Sequence, residues 1–333
     1  MDPDPGALRR GLQVGAITSS APSVEEAVRG CAAVVLAAPV GEIVGLARRV
    51  LAACAADCLV TDVGSTKAGI VGALTPAERE RFIGGHPLCG AEAGGVEHAR
   101  EDLFDRATYF LTPAPETRPE LFQRLHGLVA AIGARPVAVD PGAHDRIMAL
   151  VSHLPHVIAS TLIHQAAATA PQGREALRSA GPSFSDLTRV AGANPPLWAD
   201  ILLENRGALI GAIRDHVVRL AEVERALEAG DREWLLRWIG GAAEGRGRLR
   251  AAAATPALRL PRRVVVGVPN RPGAISEVAV ALGHAHINIE DLSLRPGPGD
   301  EGELVLVVGG EQAARQAAAL IAALGYRVRT EEG

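Results

Sequence analysis

The stretch Ile83-Gly-Gly-His-Pro-Leu-Cys-Gly-Ala-Glu92 places a histidine among glycines and beside a proline, where it has no packing duty. An imidazole ordinarily titrates near neutral pH, so His86 suits general-base work on a hydroxyl within hydrogen-bond reach. The plainer reading is a histidine that caps a loop. Ser65 lies in Gly64-Ser-Thr-Lys67, where it could bond an imidazole or serve as a helix N-cap. Lys67 is the only lysine in a chain with 34 Lys and Arg, which hints that arginine will not do there. Arg189 offers a planar fork suited to a carboxylate. Ser152 and His156 stand four apart, on one face if the segment is helical; His153 reads as structural. Cys31, Cys54, Cys58 and Cys89 show no metal-ligand clustering and read as free thiols in a reducing compartment.

The hydrophobic pattern supplies the elements that position these residues. Pro5 to Leu12 reads as a short helix following a strand end, and Ser23-Val-Glu-Glu as a capping box. Ala32–Ala38 is a continuous apolar run, as in a parallel strand buried on both faces. A helix over 43–56, a second buried strand over 58–63 and a helix over 68–71 follow. Thr75-Pro76 opens a short helical piece. Further strands are expected at 108–113 and 135–140, with a helix over 119–132 between them. This alternation predicts a doubly wound parallel sheet, with ligands beyond the carboxyl ends of its strands. Three such ends carry unusual residues: Ala38-Pro39-Val40, Asp62-Val-Gly-Ser65 and Gly84-Gly-His86.

A complete dinucleotide-binding half begins with a strand, a G-x-G-x-x-G turn and a helix before the second strand and its acid. The N-terminal region lacks that unit and is expected to begin where the second strand ends, about 30 residues into a complete βαβ unit. Asp2 then falls at the ribose-binding position, and an acid there favours NAD over NADP. From about His144 to Leu249 the spacing is helical, with more apolar surface than one thin layer needs, which predicts a two-fold dimer core. Residues 251–261 read as a linker. The last 70 or so residues read as βαββαβ, the split arrangement.

Composition excludes several classes. With 48% hydrophobic and 22% charged residues and a net charge of −4, the 333-residue chain is globular rather than disordered. No basic block suggests nucleic acid, the apolar runs look too short to cross a bilayer, and Met-Asp-Pro-Asp-Pro is no signal peptide. A cytoplasmic protein is expected.

Thr61-Asp-Val-Gly-Ser-Thr-Lys67, Gly84-Gly-His-Pro-Leu-Cys-Gly-Ala-Glu92, Val151-Ser-His-Leu-Pro-His156 and Phe184-Ser-Asp-Leu-Thr-Arg189 together resemble the prephenate/arogenate dehydrogenases of tyrosine biosynthesis. Asn194-Pro-Pro-Leu-Trp198 and Leu203-Glu-Asn-Arg206 extend the likeness, and the tail resembles an ACT domain. The resemblance implies an α/β fold with an N-terminally truncated, Rossmann-like parallel sheet over 1–142. An all-α substrate and dimerisation domain over 143–250 and an ACT domain over 262–330 follow. Two departures stand out: the Gly-rich turn is absent, and Pro182 occupies a position where the family usually has glycine.

The implied reaction is NAD-dependent oxidative decarboxylation of prephenate to 4-hydroxyphenylpyruvate. His86 is then the base and Ser65 its partner. Arg189 holds the ring carboxylate, Ser152 and His156 face the substrate side chain, and Trp198 and Glu92 complete the substrate set. Asp2, Ala38, Pro39, Val40, Gly64 and Ser65 form the cofactor side, with no metal. Lys67, Asp145 and Asp186 are supporting candidates for helix-end anchoring and for orienting Arg189. Asn270, Gly273, Asn288 and Ile289 are the effector-binding candidates, with L-tyrosine as the effector, and the protein is expected as a homodimer. The alternatives are arogenate as substrate, a non-catalytic amino-acid-binding regulator, and a reductase of the 3-hydroxyacid type, against which the His-Pro and Ser-His-Leu-Pro-His motifs argue.

Overall fold

Apolar residues at i, i+3 and i+4 along one helix, Val40, Ile43, Ala47, Val50 and Leu51, are buried against the strand Leu59–Asp62, all four of whose residues are also buried. This packing organises the N-terminal sheet. The computed structural model describes residues 1–90, 95–168, 178–254, 261–269, 271, 273–296 and 301–332. They fall into two compact units, one of Met1–Met148, Gly192–Asn205 and Leu260–Gly333, the other of Ala149–Ala191 and Arg206–Arg259.

In the first unit the elements run α1 (Pro5–Gln13), α2 (Val24–Ala27), β1 (Ala33–Leu36), α3 (Val40–Ala53), β2 (Leu59–Asp62), α4 (Ala68–Ala73), α5 (Pro76–Arg79) and β3 (Phe82–Pro87). They continue with β4 (Thr108–Thr112), α6 (Pro119–Ala131), β5 (Arg135–Ala138) and α7 (Pro141–Met148). The sheet order is β1-β2-β3-β4-β5. Parallel registers set Leu36 beside Asp62 and Thr61 beside Ile83, so the three unusual strand ends lie along one edge.

Three sequence expectations need correction. The sheet is mixed, because β4 runs antiparallel to β3, with Gly84 opposite Thr112 and His86 opposite Phe110. Residues 88–107 return the chain with only a 3₁₀ turn at Val96–His98 among those described, not the crossover helix a parallel pair requires. β1 is not buried on both faces: Val35 is 52% exposed, and β1 pairs with β2 alone among the described strands. Asp2 does not end a strand. Its Oδ1 accepts the Asp4 amide at 2.8 Å, and Asp4 caps α1 by accepting from Gly6 and Ala7.

The tail folds as β6 (Pro261–Pro269), α13 (Ala274–His284), β7 (Ile289–Pro296), β8 (Glu301–Gly309), α14 (Glu311–Ala323) and β9 (Arg327–Glu332), an antiparallel sheet of order β7-β8-β6-β9. It shares a single core with the N-terminal sheet: Leu121, Phe122, Leu125 and Val129 of α6 cluster with Val264, Val266, Val278 and Leu282. Each such side chain contributes roughly 1.5–3 kcal/mol when fully buried. Two glycines permit the close approach. A Cβ at Gly283 would lie 1.7 Å from the Ala138 carbonyl oxygen, and Gly273 (φ +88°) would put one 2.5 Å from that of Pro115. Between α7 and the tail, α10 (Pro195–Glu204) packs on the N-terminal sheet's core through Ile201 and Trp198.

The second unit holds a π-helical turn at Ala149–His153, then α8 (Leu154–Ala168), α9 (Pro182–Thr188), α11 (Arg206–Glu228) and α12 (Arg232–Ala254). Residues 251–254, expected to be linker, complete α12, and residues 255–260 lie outside those described. By length and composition alone Pro141–Ala168 would pass for a membrane-crossing helix. Its first turns instead carry His144 and Asp145, 0% and 5% exposed, hydrogen-bonded inside the first unit.

Candidate active site

The glycines before His86 are set by what fills the space beside them. Lys67 is fully buried, and its ammonium donates to Asp62 Oδ2 (2.5 Å) and to the Thr66 carbonyl oxygen (2.8 Å). A Cβ at Gly84 would come within 2.8 Å of the lysine's Cδ and closer still to Thr112 Oγ1, and one at Gly85 would meet the Asp62 carbonyl oxygen at 2.5 Å. Asp62 also accepts the amides of Gly64 (2.8 Å) and Gly85 (3.0 Å), so one buried carboxylate ties the end of β2 to β3 just before His86. Burial pushes the Lys67 ammonium pKa down, and the Asp62 charge opposes that. An arginine would bring a larger planar head into a space already closed.

His86 Nδ1 lies 2.9 Å from Nε2 of His144, and His144 Nδ1 lies 2.8 Å from Asp145 Oδ1. Asp145 also accepts the amides of Lys67 (2.8 Å, Oδ1) and Ala68 (2.9 Å, Oδ2), and its carbonyl oxygen accepts from Asn205 Nδ2 (2.8 Å). These donors suit an ionised carboxylate, so His144 Nδ1 carries the proton and its Nε2 is an acceptor. His86 must then donate from Nδ1, which leaves the Nε2 lone pair as its basic site. Burial lowers the His144 pKa, opposed by its bond to Asp145, in keeping with a neutral ring. Phe110, which pairs with His86 across the strands, meets the His144 ring edge-on at 5.4 Å.

His144 was missed in the sequence. Its signal was a His-Asp pair at the start of a helix, facing inward where an apolar residue is expected. Ser65 occupies the turn between β2 and α4, half-buried, and makes no hydrogen bond among the described residues. It does not cap α4; Asp145, 80 positions later in the chain, does so through Lys67 and Ala68. Ala38, Pro39 and Val40 form the turn from β1 into α3, whose N-cap, Pro39, supplies no side-chain bond. Gly64 has a packing reason, since a Cβ there would meet Ile43 Cδ1 at 2.7 Å. Trp198 lies partly buried against the core of the N-terminal sheet.

In the second unit Ser152 sits in the π turn, a distortion frequent at functional sites. His156 is buried on α8, which presses its pKa down, and exposed Arg189 ends α9, which packs on α8. Exposed Asp186 lies on α9. Glu92 and Asn270 lie outside the described residues. Gly273 is the left-handed N-cap of α13, Asn288 Oδ1 is buried without a donor, and the Ile289 side chain belongs to the core and cannot itself face a ligand. No group of three or more metal-ligating side chains occurs among the described residues.

Three family models match in succession: the nucleotide-binding domain of prephenate dehydrogenase over residues 1–138, its dimerization domain over 140–241 and an ACT domain over 262–325. A prephenate dehydrogenase of Bacillus subtilis is 32% identical over 288 residues, 85% of this chain and 77% of that one. The chain belongs to the prephenate dehydrogenase family. A cyclohexadienyl dehydrogenase of Zymomonas mobilis is 32% identical over 215 residues, 64% of this chain and 73% of that one. Among solved structures, an Aquifex aeolicus prephenate dehydrogenase in complex with hydroxyphenyl propionate and NAD+ aligns with a TM-score of 0.70 at 27% identity, covering 74% of this chain and 87% of that one.

For this member of the family, the strand-end turns fit the nicotinamide side of a dinucleotide: the start of α3 has no side-chain cap, and Ser65 has a hydroxyl without a partner. The pyrophosphate cradle is a different matter. The letters G-x-G-x-x-G occur at 297–302, of which 297–300 lie outside the described residues and Glu301 and Gly302 begin the strand β8, not a helix.

Proposed function

We propose that this chain is an NAD-dependent prephenate dehydrogenase of the cytoplasm, with 1–142 serving the cofactor, 143–250 the substrate and 262–330 regulation. The observation that carries the reading is the His86–His144–Asp145 chain, which leaves a histidine Nε2 as acceptor at the carboxyl edge of the sheet. His86 takes the proton of the ring hydroxyl at Nε2, and the resulting imidazolium is steadied through neutral His144 by the Asp145 carboxylate. The turns at Ala38–Val40 and Gly64–Ser65 would hold the nicotinamide, which would supply the acceptor for the hydride leaving C4. The ring carboxylate leaves as CO₂, its bonding pair passing through the ring to the C4 oxygen, which is reprotonated. Proton and charge then balance. Ser65 orients the reacting hydroxyl, while Arg189, Ser152 and His156 hold the substrate's carboxylates.

The dimerisation match covers helices that leave Val217, Val218, Leu236, Trp238 and Ile239 between 49% and 59% exposed, which supports a homodimer through that unit. The tail would then hold an amino-acid effector, with L-tyrosine the first choice. His86→Asn is expected to lower prephenate-dependent NAD⁺ reduction by at least a hundredfold while leaving the dissociation constant for NADH within a few-fold. Near wild-type turnover would overturn the assignment of the base. Running the assay with arogenate alongside fixes the substrate.

A further inference from the structure

Three of the four cysteines meet at the amino ends of β1 and β2, away from the edge that carries His86. The Cys58 amide closes a tight turn on the Ala55 carbonyl oxygen (3.0 Å). Cys54, the C-cap of α3, and Cys58, just before β2, therefore flank residues 55–57. Their side chains lie within hydrogen-bonding range of one another, and Cys31, just before β1, is near enough to act electrostatically on Cys58. Cys31 is otherwise engaged, since its Sγ donates to the Ala27 carbonyl oxygen at 3.3 Å. The paired thiols differ in access. Cys58 is 0% exposed, and burial, then the neighbouring Cys54 sulfur, push its pKa up. Cys54 is half-buried, and Arg81 Nη1 donates to its Sγ at 3.5 Å. The same guanidinium holds the carbonyl oxygens of Ala55 (2.9 Å) and Leu51 (2.6 Å), while Arg118 and Arg124 donate to those of Ala56 (2.8 Å) and Asp57 (3.0 Å). Three guanidiniums thus line the turn, against one carboxylate on the turn itself, that of Asp57.

A partly exposed sulfur among cations, with a second thiol against it, is the setting of cysteines that react reversibly with disulfides. We infer that Cys54 and Cys58 form a modification site for small-molecule disulfides of the glutathione type, Cys54 capturing the ligand and Cys58 resolving it. In the first step Cys54 gives its proton to water and the thiolate attacks one sulfur of the small disulfide. A mixed disulfide forms at Cys54, and the other half leaves as a thiolate that takes up a proton. Cys58 then loses its proton and attacks the Cys54 sulfur, which closes the Cys54–Cys58 disulfide and expels the second small thiol. Two protein thiols are oxidised to one disulfide, and one small disulfide is reduced to two thiols. The order is fixed by access, because buried Cys58 meets the ligand only through its neighbour. The second step is the slower one, since its nucleophile must ionise inside the core. The mixed disulfide therefore accumulates before the internal one. None of this chemistry depends on the enzymatic reading.

The test incubates the full, folded chain with oxidised glutathione at mildly alkaline pH, quenches samples with acid at intervals, and reads intact mass and peptide maps. The expected course is a single glutathione adduct at Cys54, replaced by a species two hydrogens lighter than the starting chain in which Cys54 and Cys58 are joined. Dithiothreitol should reverse both. Cys58→Ala should stop at the adduct, and Cys54→Ser should slow capture at Cys58 by roughly tenfold or more. Circular dichroism checks that each variant is folded. If either variant fails to fold, the time course of the unaltered chain decides by itself, because adduct before disulfide, both at Cys54, is what the geometry requires. An adduct that forms first at Cys31 or Cys89 overturns the inference. So does a folded chain that does not react, an adduct at Cys54 that Cys58 never displaces, or capture at Cys58 that Cys54→Ser leaves as fast as before.

Discussion

Replacing Asp145 by asparagine separates a relay from a mere scaffold. The carboxylate is 5% exposed and accepts three hydrogen bonds, two at Oδ1 and one at Oδ2. An asparagine of the same shape can keep its oxygen at the Oδ1 position, preserving the His144 tautomer, but then turns its amide hydrogens on the Ala68 amide. That lost bond, and the charge assistance lost from the other two, cost roughly 3–5 kcal/mol of stability. The catalytic effect is separate. Two hydrogen bonds of 2.8 and 2.9 Å and the width of one ring separate the carboxylate from the His86 imidazolium. At about 8 Å and an effective dielectric of about 20, the lost attraction is about 2 kcal/mol. The acid limb of the kcat profile, where His86 must be unprotonated, should therefore move about 1.5 pH units lower. The plateau should fall by up to about 30-fold, because the base is weaker. NADH absorbance at 340 nm, followed from pH 5 to 9 on protein whose folding is checked by circular dichroism, reads both. A plateau within threefold of wild type, with the acid limb unmoved, would refute the relay and leave Asp145 a helix cap.

Lys67→Met leaves the Asp62 carboxylate buried without its cation, a loss of about 3–5 kcal/mol in urea unfolding; Asp62→Asn in the same chain should recover part of it. A loss under 1 kcal/mol would mean that the pair is not closed to water. Burial holds the pKa of both His126 and His144 below that of free imidazole. As pH falls below about 6.5 the unfolded chain therefore takes up protons that the folded chain refuses, so stability is full above that value and is lost below it. The slope reaches about 1.4 kcal/mol per pH unit for each ring until its folded pKa is reached. Urea midpoints that stay level from pH 7.5 to 5 would contradict this.

How much of this was legible in the sequence follows from the range of the interactions. The βαββαβ tail, the strand ends and the N-caps at Ser23 and Thr75 depend on neighbours a few residues away, and the sequence pattern announces them, although the full capping box forms at Thr75 with Glu78 and not at Ser23, where it was expected. The resemblance found His86 because its motif is contiguous. His144 acts across 58 positions, and a His-Asp pair early in a helix reads as solvated unless β3 is known to lie beside it. The same holds for the cap of α4, where a local serine looked sufficient and a distant aspartate does the work. β1 misled for a related reason: four apolar residues look alike in a central strand and in one paired on a single side, and only the exposure of Val35 tells them apart. The lone lysine was a fair clue to a closed space, yet the sequence could not say that Gly84 and Thr112 are the residues that close it.

The two ends of the site answer to different constraints. The acid–base end is over-determined: Asp62 and Asp145 each accept three hydrogen bonds from β2, β3, α4 or α7, so no one of these elements can move without breaking several bonds at once. The Pro39 turn carries no such network, and at the Ser65 turn the backbone is held through the Gly64 amide and the Thr66 carbonyl while the Ser65 hydroxyl is left over, which is what a cofactor there would use. Rigidity at the base and openness at the turns suit a reaction in which one proton acceptor must keep its tautomer while a large cofactor exchanges in each cycle. A perturbation that reaches α4 or α7 from the far side therefore has few ways to be absorbed locally. The amides of Lys67 and Ala68 carry it to Asp145, and from there His144 carries it to His86.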